Sequence, residues 1–327
     1  KLIMKILITG CAGFIGFHLA KKFLEKKFEV YGLDNLNNYY SVSLKKDRIK
    51  ILNKEKKFTF KKIDISNRTK IINLFKKEKF DAVIHLAAQA GVRYSLKKPY
   101  EYIDSNLIGF SNIIEETKNS KIKTFLYASS SSVYGENNKP PFKETKSNTE
   151  NPLQIYAATK KSNEILAKAY FNLFKFKIIG LRFFTVYGNY GRPDMAIFDF
   201  VKRILKKKII YINNYGNHYR DFTHINYATD LVYSLVIKTL KIKKPFFEIF
   251  NIGSGRPISI MKVVNLIQNI LQMKAKIKYR GKQKGDVHGT FSNSKKIEKL
   301  TKIKKRITIE EGLIEFINWY KRHFKIK

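Results

Sequence analysis

The sequence predicts an α/β protein: a doubly wound parallel sheet with a smaller C-terminal lobe. Three observations carry this expectation. Short apolar runs alternate with amphipathic stretches of helix length through the first 180 residues. Several of those runs, such as Ala82-Val83-Ile84-His85-Leu86, are apolar on both faces, as parallel strands covered by helices must be. Beyond about residue 182 the alternation gives way to irregular, loop-rich chain.

In order, the expected strands are 5–9, 29–34, 59–63, 82–86, 124–129 and 177–182, with helices over 15–27, 44–53, 68–79, 100–119 and 156–174. Loops rich in Gly, Asn and Arg follow at 187–193, 213–220 and 280–289, separating helices near 195–207, 226–240, 259–272 and 309–324. Ligands of open α/β sheets sit outside the carboxyl ends of the strands, and a lobe built from the later segments caps that edge. The expected division is a Rossmann-type cofactor domain over 1–182 plus about 224–254, with a substrate-binding lobe from about 183–223 and 255–327.

With 44% hydrophobic and 28% charged residues the chain has the composition of a globular protein. Its net charge of +39 is distributed, with Lys21, Lys54, Lys118, Lys206, Lys243 and Lys304 in separate segments, which fits a solvated face and compositional bias rather than a nucleic-acid surface. Cys11 is the only cysteine, so intrachain disulfides and thiol metal cages are excluded. The six histidines lack metal-ligand spacing, and no metal is expected. No apolar run approaches the roughly 20 residues that span a bilayer. The first residues lead straight into a strand, so a cytoplasmic protein without membrane or nucleic-acid partners is expected.

The first strand runs into Gly10-Cys11-Ala12-Gly13-Phe14-Ile15-Gly16 and then a helix. Glycines at this spacing permit a tight turn, let backbone approach a pyrophosphate and allow close helix–strand packing, while the helix N-terminus offers free N–H groups. Asp34 ends the next strand, where a carboxylate accepts both ribose hydroxyls and repels a ribose phosphate, favouring NAD over NADP. Cys11 reads as a small filler. Asp64, beside Ile65, serves either the adenine edge or a helix cap.

Two further features meet at the same sheet edge. The fifth strand ends in Ser129-Ser130-Ser131-Ser132-Val133-Tyr134-Gly135, and a later helix opens with Tyr156-Ala157-Ala158-Thr159-Lys160. Four residues apart, Tyr156 and Lys160 share a helix face. An ammonium and a nicotinamide cation beside a phenol lower its pKa, which makes a base for a sugar hydroxyl, and a serine hydroxyl can hold the same oxygen. Both residues are present, which argues against a non-catalytic regulator built on this fold.

The chain resembles the extended short-chain dehydrogenase/reductase family, and within it bacterial UDP-glucuronate 4-epimerases. The likeness runs almost end to end, through segments 10–16, 34–40, 87–95, 129–135, 156–160, 182–196, 220–222 and 251–257. It implies Ser130 as catalytic hydroxyl, Tyr156 as base and Lys160 as its partner. For NAD it implies Gly10, Gly13, Phe14, Ile15, Gly16, Asp34, Asn35, Asn37, Asp64, Ile65, Leu86, Ala87, Ala88, Gln89, Asn106, Ser129, Tyr156, Lys160, Phe183 and Val186. For the UDP-sugar it implies Ser130, Ser131, Ser132, Tyr156, Thr185, Arg192, Arg220 and Asp286. Arg93 either approaches the sugar or closes an ion pair at a helix start, and Arg220 either meets the substrate or pairs with Asp221. Dehydratases of the family carry an Asp-Glu pair where Ser131 and Ser132 stand, and decarboxylases a glutamate at Ser132. The implied reaction is therefore carbon-4 epimerisation of UDP-glucuronate, with UDP-N-acetylglucosamine or UDP-glucose, and then UDP-glucuronate decarboxylation, as the alternatives. The apolar surplus on helix 156–174 (Ile165, Leu166, Ala169, Tyr170, Leu173) together with helix 100–119 implies a homodimer.

Overall fold

A computed structural model describes residues 4–136, 139–145, 151–283 and 287–326. The first half alternates strand and helix: β1 (Lys5–Thr9), α1 (Phe14–Glu25), β2 (Glu29–Asp34), α2 (Val42–Leu52), β3 (Phe58–Lys62), α3 (Arg68–Lys77) and β4 (Ala82–His85). After a one-turn helix, α4 (Pro99–Tyr102) widens into a π-helical segment (Ile103–Ile108) that continues as α5 (Gly109–Asn119). Then come β5 (Thr124–Ser130), α6 (Ile155–Phe174) and β6 (Lys177–Phe183). All six expected strands form within one residue of their expected ends.

Seven strands make the central sheet in the order β10-β6-β5-β4-β1-β2-β3, where β10 is Phe247–Ile252. Every pairing in it is parallel. This is a Rossmann-type doubly wound sheet with an added edge strand, and its order reverses between β1 and β4, where such sheets open a crevice. One face is covered by α1, α2 and α8 (Ile225–Lys241), packing Phe17, Phe23, Ile49, Leu231 and Leu235 against Ile8, Ile84 and Leu126. The other is covered by α3, α5 and α6, with Ile71, Phe110, Ile113 and Ala167 against Leu7, Val83 and Phe125. The central strands are buried on both faces, whereas β3 at the edge exposes most of its residues.

Between β6 and β10 the chain leaves the sheet to form β7 (Thr185–Tyr187), α7 (Ala196–Leu205), β8 (Ile210–Ile212) and β9 (Tyr219–His224). After β10 it adds β11 (Pro257–Ser259), α9 (Ile260–Leu271), β12 (Ile277–Tyr279), β13 (Gly289–Thr290), α10 (Lys295–Thr301) and α11 (Ile309–His323). Helices α7, α9 and α11 enclose a second core around Phe198, Val264, Phe316 and Trp319, which Leu44 of α2 joins. No helix among the described residues is long and apolar enough to cross a membrane.

Candidate active site

The glycine loop is held by its own backbone. Gly10 has φ +74°, and a Cβ there would come within 2.7 Å of the Ala87 nitrogen; one on Gly16 would sit 2.1 Å from the Gly10 carbonyl oxygen. Gly13 caps α1 in extended conformation with no side-chain bond to the helix, so the first N–H groups of α1 face the cleft without a capping side chain. Asp34, 9% exposed, accepts from the N–H groups of Ala12 (3.2 Å) and Leu36 (2.8 Å). Burial raises its carboxyl pKa, opposed by the Leu36 N–H bond and by Lys45. This cradle fits NAD: an anion-seeking helix start, glycines that admit no Cβ, and a carboxylate at the ribose end.

A cleft of about 440 Å³ runs from this loop across the carboxyl ends of β4, β5 and β6. Of the residues expected at the cofactor, Gly10, Gly13, Phe14, Ile15, Gly16, Asp34, Asn35, Asn37, Ile65, Leu86, Ala87, Ala88, Gln89, Ser129, Phe183 and Val186 line it. Asp64, which is exposed, and Asn106, which is buried, are not among the lining residues. Asp64 accepts from Asn35 Nδ2 (2.8 Å) and from the Ser66 N–H and hydroxyl. It does not cap α3, because Asn67 does so by accepting from the Lys70 N–H. Asn106, 1% exposed in the π-helical segment, exchanges hydrogen bonds with the Gln89 backbone (2.7 and 3.1 Å) and donates to Thr159 Oγ1. It braces the Gln89 turn from the rear.

Ser130, Tyr156 and Lys160 all line the cleft. β5 alternates its last two serines. Ser129 points inward to donate to Glu164 Oε1 (2.6 Å), which also pairs with buried Arg182, while Ser130 faces the cleft. Ser130 Oγ accepts from the Ser132 hydroxyl (2.7 Å) and shares the cleft with the Tyr156 side chain. Lys160 Nζ donates to the Ala128 carbonyl (2.8 Å), and burial pulls its pKa down to about 7. Burial raises the Tyr156 phenol, while the Ser130 hydroxyl and the charge of Arg192 oppose that rise. The expected depression of Tyr156 by Lys160 is thus not a property of the protein alone. The lysine spends its proton on a backbone carbonyl one strand position before Ser129.

Ser131, Ser132, Thr185, Arg192 and Arg220 line the same cleft. Arg192 forms a bidentate pair with Asp194 (3.1 and 2.5 Å), which also accepts from the Tyr39 hydroxyl (3.0 Å). Arg220 donates to the carbonyls of Tyr219, Val287 and His288 rather than pairing with Asp221. Asp221 turns the other way and is fully buried, accepting from Thr223, Ser254, Gly255 and Ser292 through six hydrogen bonds. Arg93 is exposed and outside the cleft lining, and its guanidinium lies beside the Asn213 side-chain amide. Asp286 lies outside the described residues.

Sequence reasoning missed Tyr39, Tyr40, Lys45 and Thr290, which also line the cleft. Lys45, 4% exposed, donates to the Asn37 carbonyl and side chain and lies over the Tyr40 ring. In a chain with 65 Lys and Arg residues, no local signal sets one lysine apart. Among the described residues no group of His, Cys, Asp or Glu could hold a metal. His18 and His85 are buried and pulled down to about 3, each with a single oxygen partner.

Residues 6–253 match the model of the NAD dependent epimerase/dehydratase family. Protein CapI of Staphylococcus aureus is 44% identical over 335 residues, covering 98% of this chain and all of that protein. A UDP-glucuronate 4-epimerase of Thermodesulfobacterium geofontis is 41% identical over 322 residues, covering 98% and 97%. The crystal structure of UDP-glucuronic acid 4-epimerase from Bacillus cereus, in complex with UDP-glucuronic acid and NAD, superposes with a TM-score of 0.89 at 32% identity, covering 98% and 100%.

Proposed function

The chain belongs to the NAD dependent epimerase/dehydratase family, and on that footing we propose that it inverts carbon 4 of UDP-glucuronate to give UDP-galacturonate. The observation that carries this reading is the hydroxyl set beside the base. Ser130 and Tyr156 both line the cleft, and the two positions after Ser130 are Ser131 and Ser132, which offer no acid or base for eliminating water. The site is equipped to oxidise and reduce a carbinol carbon and nothing more.

The glycine loop, the start of α1 and Asp34 would hold NAD, which would supply the hydride acceptor and donor for carbon 4. Tyr156 removes the 4-hydroxyl proton, and Ser130 holds that oxygen. Lys160, poised by burial near neutrality, supplies the cationic neighbour that the phenol needs. The 4-keto sugar turns within the cleft and Tyr156 returns the proton on the other face. Arg192 and Arg220 hold oxyanions of the UDP-sugar with planar forks, Arg192 exchanging part of its pairing with Asp194. Ser131, Ser132 and Thr185 donate to the uronate carboxylate. In this division of labour residues 1–182 with about 224–254 bind the cofactor, and about 183–223 with 255–327 bind the sugar nucleotide.

The test is a panel of UDP-sugars, each carrying deuterium at carbon 4, with products resolved by chromatography and mass. Conversion of UDP-glucuronate to its 4-epimer with the deuterium retained is expected, together with a loss of about 10²–10⁴ in turnover for Tyr156→Phe at unchanged NAD content. Deuterium lost to solvent, or turnover confined to uncharged sugars, overturns it.

We also propose a homodimer. Ile165 (61% exposed), Leu173 (72%) and Tyr100 (80%) form an uncovered apolar face on α6 and α4, while Leu166 and Tyr170 pack against their own core. Light scattering at micromolar concentration should return twice the 38.3 kDa chain mass; a monomer mass refutes it.

A further inference from the structure

We propose that Arg48 is a positioning residue that locks the cofactor's glycine loop to the loop carrying Arg192, so that one buried guanidinium sets both sides of the site. Arg48 stands on α2 and is the largest fully buried side chain. Its Nη1 donates to the Ala12 carbonyl, inside the glycine loop, at 2.6 Å and to the Tyr40 hydroxyl at 2.7 Å. Its Nη2 donates to the carbonyls of Tyr190 (2.6 Å) and Gly191 (3.3 Å), the two residues that lead into Arg192. The acceptors lie on three segments far apart in sequence, and only a planar fork addresses them from one side chain.

The burial of this charge has no stabilising explanation of the usual kind. The partners are three carbonyls and a phenol, all uncharged, and Nε is buried without a partner. The Asp34 carboxylate feels this charge without bonding it. A desolvated cation with no direct ion pair is costly, and an apolar side chain of the same volume fills such a space at less expense. What the guanidinium supplies is geometry. Tyr190 sits at φ +55°, a conformation unfavourable for a bulky residue, and is gripped at both ends: its carbonyl by Arg48 and its ring by Phe17 (5.0 Å) and Trp319 (4.9 Å).

The contacts close into a circuit. Arg48 holds Tyr40; the adjacent Tyr39 donates to Asp194; Asp194 holds Arg192; and Arg192 follows Gly191, which Arg48 holds. Arg48 does not itself line the cleft and touches its lining only through Tyr40, so it acts through other residues. The consequence is a coupled site, in which order in the cofactor loop and aim of the substrate-binding arginine rise and fall together.

The choice of substrate rests on the epimerase reading; the coupling does not. Arg48→Lys keeps the charge but places all its donors on one nitrogen, which cannot bridge the two loops. With NAD in excess, its KM for UDP-glucuronate should rise about tenfold while kcat changes less than about threefold, the size of an ordinary coupling between sites. The same variant should copurify with less than half the NAD of the wild type. Arg192→Lys, by contrast, should raise KM with full NAD content. A shift in KM alone or in NAD alone assigns Arg48 to one loop and overturns the coupling. A purely structural role lowers melting temperature and yield but leaves the KM of the folded fraction unchanged. Should Arg48→Lys not fold, Tyr40→Phe decides: both readouts move in the same directions by a smaller factor, or the proposal fails. If the wild type does not turn over UDP-glucuronate, the functional reading fails instead, and NAD content with calorimetric UDP affinity still tests Arg48.

Discussion

The two walls of the cleft recognise their ligands by different physics. The cofactor wall is made of backbone: a glycine loop, the uncapped start of α1 and a single carboxylate, all within residues 10–34 and built by one β-α-β unit. The wall we assign to the substrate is made of side chains, with Thr185, Arg192 and Arg220 gathered from separate segments and held by their own hydrogen-bond partners. A local motif suffices for a rigid, shared ligand. A ligand that varies among relatives calls for parts that can be replaced one at a time, and those parts need a frame.

The largest test of the contrast strikes that frame. Asp221 joins β9 to the segments around Ser254 and Ser292 through six hydrogen bonds. Asp221→Asn turns an amide donor toward backbone N–H groups that need an acceptor, and should cost about 3 kcal/mol or more. Thermal unfolding measures that loss. In the fraction that folds, KM for the UDP-sugar should rise while NAD stays bound, and the reverse outcome breaks the contrast. Gly16→Ala strikes the other wall. Alanine improves helix propensity by about 1 kcal/mol, but its Cβ meets the Gly10 carbonyl at 2.1 Å. The clash should prevail, costing about 1–3 kcal/mol net and releasing NAD on purification. A stable Gly16→Ala protein with full NAD would show the loop to be softer than drawn.

A third test concerns pH. Burial lowers Lys160 from the usual lysine value of 10.5 to about 7 in the folded state. Between those values the unfolded chain binds the extra proton, so the burial penalty is full below about pH 7 and is relieved as pH rises toward 10.5. Lys160→Met lacks this term. The melting temperature of Lys160→Met relative to wild type, without added cofactor, should therefore fall steadily from pH 7 to pH 10; a difference independent of pH refutes a depressed lysine.

How much of this was legible in the sequence follows the same divide. Six of the seven strands of the large sheet, the glycine loop, Asp34, Ser130, Tyr156 and Lys160 announce themselves through continuous apolar runs and short spacings. The seventh strand, β10, lies beyond the regular alternation and does not. Arg48 does not, because it sits in Lys-Lys-Asp-Arg-Ile-Lys, where any basic residue looks like solvated surface. β7, β8, β11, β12 and β13 are two or three residues long and pair with distant partners, too short for periodicity to register. The π-helical turn that swings Asn106 behind Gln89 leaves no mark on a pattern read at ordinary helical spacing.

The seventh strand bears on how the protein is made. β6 is buried along its whole length, yet its outer neighbour β10 begins only at Phe247, so Ile178 waits for a partner translated much later. At about 5–20 residues per second that interval lasts several seconds, during which a nearly finished sheet presents a bare apolar edge on the ribosome. That edge carries two charges, Lys177, whose ammonium later binds the carbonyls of Thr239 and Ile242, and Arg182, which pairs with Glu164. Nascent chains that end between β6 and β10 are therefore the species most in need of a chaperone.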